Sequence, residues 1–134
     1  NFQLRGDESL ADAAFVAKLA QKYKVPFHEM AFETKAYAAE NGISTQMAAR
    51  ALRYAWFKKL QYTYGYDFLI TAHHSGDAVE TMLINMLRGS GIAGLQGIQS
   101  KQGTTLRPLL NLTREQIMDI VAERQLTWRE DSSN

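Results

Sequence analysis

Cysteine is absent, which excludes disulfides, thiolate-bound zinc and a cysteine nucleophile among these residues. The absence also fits a cytosolic origin. Proline is scarce, with two residues, and glycine numbers nine, so collagen-like and proline-rich chains are excluded. No apolar run approaches the ~18 residues that span a bilayer, so no membrane partner is expected. No sign of charge dominates either. Fifteen Lys+Arg face 14 Asp+Glu, so composition alone does not announce a nucleic-acid surface. What is present is ordinary for a globular protein: 46% apolar and 22% charged residues argue against intrinsic disorder.

The 134 residues amount to one domain, read as a single partial domain over 1–134. The chain opens on the polar run Asn1-Phe2-Gln3-Leu4-Arg5-Gly6, with no initiator Met and no secretory signal. It reads as starting inside a loop, as a fragment would.

Periodicity predicts helices over 8–24, 34–40 and 45–64. The first has acid at its start in Asp7-Glu8 and is broken at Val25-Pro26. The second ends at the C-cap signal Asn41-Gly42. The third is capped by Ser44 or Thr45, carries Met47, Ala48, Ala51, Leu52, Ala55, Trp56, Leu60 and Tyr64, and stops at Gly65. Phe27 to Phe32 reads as a short strand. Asp67-Phe68-Leu69-Ile70-Thr71-Ala72 reads as a strand buried on both faces. After the loop His73-His74-Ser75-Gly76, Asp77 opens a helix that stops at Arg88-Gly89-Ser90-Gly91. Residues 91–104 read as loop, and Leu106 to Leu110 as an irregular strand because of Pro108. Thr113 caps a last helix, with Ile117, Ile120 and Val121 as its apolar stripe. Strands alternating with helices predict an α/β fold with a mostly parallel sheet. The strands are few for such a sheet, so the first strands are expected to be missing.

Four features carry chemistry. Asp77 and Glu80 stand at i, i+3 where a strand passes into a helix, so they share a face and can point at one ligand. Two carboxylates suit Mg²⁺ beside substrate phosphates, with Asp77 as the metal ligand, and equally suit an ammonium group. Asp77 also reads as a plain N-cap, Glu80 as a solvated side chain, and the His73-His74 pair as structural. Arg88-Gly89-Ser90-Gly91 suits a phosphate backbone, or is an ordinary helix end. Arg50 and Arg53 lie at i, i+3 on a helix, which by default is a solvated face. Trp128 beside Arg129 can stack on a base, although a core Trp is the default.

Several blocks in order carry a resemblance: Leu4-Arg5-Gly6, Ala48-Ala49-Arg50-x-x-Arg53-Tyr54, His73-His74-x-x-Asp77-x-x-Glu80-Thr81, Arg88-Gly89-Ser90-Gly91-x-x-Gly94-Leu95, Arg107-Pro108-Leu109 and Trp128-x-Glu130-Asp131-x-Ser133-Asn134. In this order they resemble the bacterial tRNA(Ile)-lysidine synthetases of the PP-loop (N-type) ATP pyrophosphatase superfamily, from the first residue to the last. The resemblance implies a Rossmann-like sheet of the adenine nucleotide alpha-hydrolase type with flanking helices. It implies a cytoplasmic enzyme that uses ATP and Mg²⁺ on an isoleucine tRNA with a CAU anticodon and on free L-lysine. Catalytic roles then fall to Asp77, Glu80, His73 and Arg53, and contacts to nucleotide or tRNA to Arg88, Gly89, Ser90, Gly91 and Arg5. Oligomeric state stays open, a homodimer included.

Two departures from the family's pattern stand out. Its phosphate loop, Ser-Gly-Gly-x-Asp-Ser, is expected before residue 1, so this chain alone is expected to be inactive. Gly76 stands where the family usually has the first of two adjacent Asp. Two other readings are compatible with the residues: a tRNA 2-thiolation enzyme of the same superfamily, and a degenerate RNA- or nucleotide-binding module.

Overall fold

The computed structural model describes residues 7–89 and 97–129. Among them are five helices and three short strands, in the order α1 (Asp7–Tyr23), α2 (Thr34–Asn41), α3 (Thr45–Tyr64), β1 (Leu69–Ile70), α4 (Ser75–Leu87), β2 (Lys101–Gln102), β3 (Thr105–Leu106) and α5 (Arg114–Glu123). The chain divides after Leu60 into two compact units. No helix among the described residues is long and apolar enough to cross a membrane.

In the first unit the helix boundaries follow local chemistry. The α1 helix ends with Lys24 at φ 53°, and Val25 N–H reaches back to the Ala20 carbonyl at 3.0 Å. That is the left-handed closure usually given to glycine. Gly42 closes α2 in the same way at φ 61°, with Ile43 N–H on the Ala38 carbonyl. Ser44 caps α3, its hydroxyl accepting from Met47 N–H at 3.2 Å. Small residues make the buried positions: Ala20, Ala38, Ala48 and Ala49, with Thr34 beside them. Along α3 the row Ala48, Leu52, Trp56, Leu60 turns inward, while Met47, Ala51 and Ala55 are exposed. Phe32 meets Trp56 edge to face at 6.2 Å between ring centroids.

Phe27 to Phe32 is not a strand, contrary to expectation. A strand exists only as half of a hydrogen-bonded ladder, and no described strand lies in this unit to pair with it.

In the second unit the sheet order is β1-β3-β2. The β1 and β3 strands are parallel, with Leu69 opposite Thr105 and Ile70 opposite Leu106, whereas β2 and β3 are antiparallel. The sheet is thus mixed and small rather than mostly parallel. Residues 101–106, expected as loop and irregular strand, form a hairpin. Gly103 provides the positive φ (58°) at the first turn position that a two-residue hairpin of this kind needs. β3 ends at Leu106, before Arg107 and Pro108, which has no N–H to continue a ladder. The run Asp67–Ala72 was expected to be buried on both faces. Only two of its residues are strand, and Ile70 is 66% exposed. Among the described residues β1 has one neighbour, so one side of its ladder is unpaired.

The α5 helix is closed by a reciprocal cap. Thr113 Oγ1 accepts from Gln116 N–H at 3.3 Å, and Gln116 Oε1 accepts from Thr113 N–H at 2.9 Å. The Glu115 carboxyl is held below its ordinary 4.5, chiefly by a hydrogen bond from the Thr113 side chain, then by a backbone hydrogen bond, and less by the charges of Arg114 and His74. A carboxyl depressed in the folded state stabilises above its unfolded value and loses that contribution as the pH falls. Glu115→Gln is therefore expected to flatten the acid limb of a stability–pH curve below about pH 4.5, read by urea unfolding. Thr113→Ala is expected to cost about 1 kcal/mol at neutral pH in the same measurement.

Candidate functional site

Parallel pairing of β1 and β3 gives two strand-to-helix units. β1 leads through residues 71–74 into α4, and β3 leads through 107–113 into α5. The two helix starts lie together, since Ser75 N–H donates to the Leu112 carbonyl at 3.0 Å. The influence of His74 on Glu115 reflects the same proximity. This is the carboxyl edge of a parallel strand pair, where open α/β sheets place ligands and helix dipoles favour anions.

The α4 helix begins at Ser75, two residues earlier than the sequence reading. Its N-cap is His74, in extended conformation at φ −117°. The imidazole Nδ1 accepts from Gly76 N–H at 3.0 Å, and Asp77 Oδ2 accepts from His74 N–H at 2.8 Å. Asp77 is thus the third helical residue and the return half of a capping box, not the N-cap itself. Ring and carboxylate also approach at 3.6 Å. The tautomer that caps has its Nδ1 lone pair free for Gly76 and its proton on Nε2. One turn on, Glu80 is exposed on the same face as Asp77. His73 Nδ1 lies 2.9 Å from Thr71 Oγ1. His73, Asp77 and Glu80 therefore lie within two turns' length of chain at the start of α4, His73 just before the N-cap and the two acids on the helix.

Arg88 is the C-cap of α4, and Gly89 takes φ 68° just past it. From Asp77 to Arg88 is eleven residues of helix, or about 16 Å. Arg53 is exposed on α3 in the first unit. Beside it on the helix, Arg50 lies over the Tyr54 ring at 5.0 Å. Arg5, Ser90 and Gly91 lie outside the described residues. Trp128 is 49% exposed, so the default reading of a core tryptophan does not hold.

Among the described residues no group of three or more His, Cys, Asp or Glu is placed to hold a metal. The donor set still fits Mg²⁺ of the kind bound by one or two carboxylates with phosphates completing the shell. Asp77 spends Oδ2 on the cap, and its partners among the described residues engage only that oxygen.

Two residues escaped the sequence reading. His74 was noted as half of a pair, but its cap depends on the ring folding back over the helix start. Arg107 was noted only as part of a motif block. It is buried, with Nη1 donating to the Gln99 carbonyl at 2.8 Å and Nη2 to Gln102 Oε1 at 3.4 Å. Its own N–H donates to the Ser100 carbonyl at 2.8 Å. The guanidinium thus ties residues 99–102 to the end of β3. Arg107→Ala is expected to cost roughly 1–3 kcal/mol in chemical denaturation, because the Gln99 carbonyl loses its donor. A cost near zero would mean that water takes over the bond.

Three related proteins, each named tRNA(Ile)-lysidine synthase, align with the full chain. That of Parabacteroides distasonis is 45% identical over 134 residues, and this chain covers 31% of its length. Those of Porphyromonas gingivalis strain W83 and Bacteroides thetaiotaomicron are each 46% identical, with 30% and 32% of their lengths covered. The chain thus spans about a third of the relatives that it matches. The family model of the PP-loop domain matches residues 1–134, and the chain belongs to that ATP-binding family.

Proposed function

We propose that the full-length protein joins lysine to C2 of the wobble cytidine of an isoleucine tRNA with a CAU anticodon. The observation that carries this reading is 45–46% identity, over the whole chain, to proteins named for that product. The geometry supports it in two ways. An acidic pair stands at paired helix starts on the carboxyl edge of β1 and β3. Arg88 lies about 16 Å from it along one helix, a spacing that suits a polynucleotide better than a small molecule.

The reaction has two steps. The C2 carbonyl oxygen of the cytidine attacks the α-phosphorus of ATP and pyrophosphate leaves. The ε-amine of lysine then attacks C2, and AMP departs with the C–O bond electrons. Lysine arrives as an ammonium ion and must shed a proton to become a nucleophile. Glu80, exposed and one turn from Asp77, is the group assigned to receive that proton. Asp77 is assigned, through its carboxylate oxygen Oδ1, to the ammonium or to Mg²⁺; Mg²⁺ held there would offset charge on the phosphates. His73, held to Thr71, is assigned to the nucleotide. Arg53 is assigned to the adenylated intermediate, and Arg88 with Gly89, Ser90 and Gly91 to the tRNA backbone, with Arg5 as a further phosphate contact. Its substrates place the protein in the cytoplasm.

The test is transfer of labelled lysine to the wobble cytidine by the full-length protein with ATP and Mg²⁺. Glu80→Gln is expected to lower transfer at least about tenfold, which is ~1.4 kcal/mol of transition-state stabilisation. Wild-type rates in that variant would remove Glu80 from the site. No label on a tRNA of proven competence would remove the reaction.

A further inference from the structure

Gly76 sits in the first turn of α4, and its φ is not in the left-handed region, so backbone conformation does not call for glycine there. Glycine in a helix is costly relative to alanine. The neighbouring ring supplies the reason. A Cβ added at residue 76 would stand 2.7 Å from His74 Cε1 and 3.0 Å from His74 Nδ1. Those are the atoms of the imidazole that caps the helix through Nδ1. The ring is the end of a rotatable side chain, so the cheapest relief of the clash is to swing it away. That movement takes Nδ1 off the Gly76 N–H and removes one half of the capping box, so the turn that carries Asp77 keeps only the other half, the bond from His74 N–H to Asp77 Oδ2.

We propose that His74 and Gly76 act as a pair that positions Asp77. The ring of His74 fills the volume that a side chain at 76 would need, and in that place its Nδ1 holds the Gly76 N–H and with it the first turn of α4, from which Asp77 projects. His74 acts through Asp77 and is a positioning residue. Its role in lysine transfer rests on the function proposed above; its pairing with Gly76 does not.

Helix propensity alone makes Gly76→Ala stabilising. The pairing predicts the opposite sign. In the full-length protein Gly76→Ala is expected to lower the melting midpoint by roughly 2–4 °C. In a His74→Asn background the same change is expected to raise it, because asparagine caps the helix without a ring over residue 76. Lysine transfer adds a readout that a purely structural role would not move. Gly76→Ala is expected to reduce kcat at least about fivefold with the KM for ATP unchanged, His74→Ala, which removes the ring and its cap, is expected to do the same, and His74→Asn, which restores a cap, is expected to recover part of that loss. A double-mutant cycle on the midpoints isolates the coupling. Equal effects of Gly76→Ala in the two backgrounds would overturn the pairing, and so would a stabilising effect beside His74. Wild-type kcat in both His74→Ala and Gly76→Ala would overturn the positioning role. A wild-type protein without lysine transfer would defeat the proposed reaction, and the midpoints would still decide the pairing.

Discussion

The second unit depends on the parallel pairing of β1 with β3. Antiparallel strands hand their chains out at opposite ends, whereas parallel strands send both onward from the same edge. Because Leu69 stands opposite Thr105 and Ile70 opposite Leu106, the segments that follow leave together. Each then starts a helix. The bond from Ser75 N–H to the Leu112 carbonyl draws those two starts side by side. Without that pairing, Asp77 and Glu80 would still share a face of α4, but the start of α5 would not stand beside the start of α4.

Both helix starts carry reciprocal caps, the boxes His74–Asp77 and Thr113–Gln116, while the Ser75 N–H goes to the Leu112 carbonyl. The Asp77 carboxylate is therefore fixed by the cap through Oδ2, and a change that frees that oxygen also moves Oδ1. Gly76 belongs to the same economy of space. As a departure from the family's pattern it looked like a lost carboxylate. In the structure it is the room in which the His74 ring lies.

Local signals were legible where one residue acts on its own backbone. Gly42 and Gly65 end helices with positive φ, Ser44 and Thr113 start them, and the expected bounds 45–64 are those of α3, although Met47, Ala51, Ala55 and Tyr64 of its apolar set are exposed. The failures have a common cause. Phe27 to Phe32 has strand composition but no described partner, and Asp67–Ala72 has the apolar run of a central strand but lies at the border of a three-stranded sheet. Strand identity depends on a neighbour distant in sequence, which a local pattern does not contain. The hairpin at Gly103 was hidden because Lys101 and Gln102 are polar and exposed, so no alternation marked them. Arg107 was hidden because charge predicts exposure, while its hydrogen bonds to residues 99 and 102 form only when the hairpin brings them round.

By itself the sequence determined where helices start and stop, which acidic residues share a helical turn, and which family the residues resemble. These follow from chemistry within a few residues of each position, or from their order along the chain. Tertiary structure alone decided the mixed sheet, the meeting of the α4 and α5 starts, and the lodging of the His74 ring over Gly76. Each of these depends on where groups come to rest in space once strands have paired and side chains have taken up their rotamers.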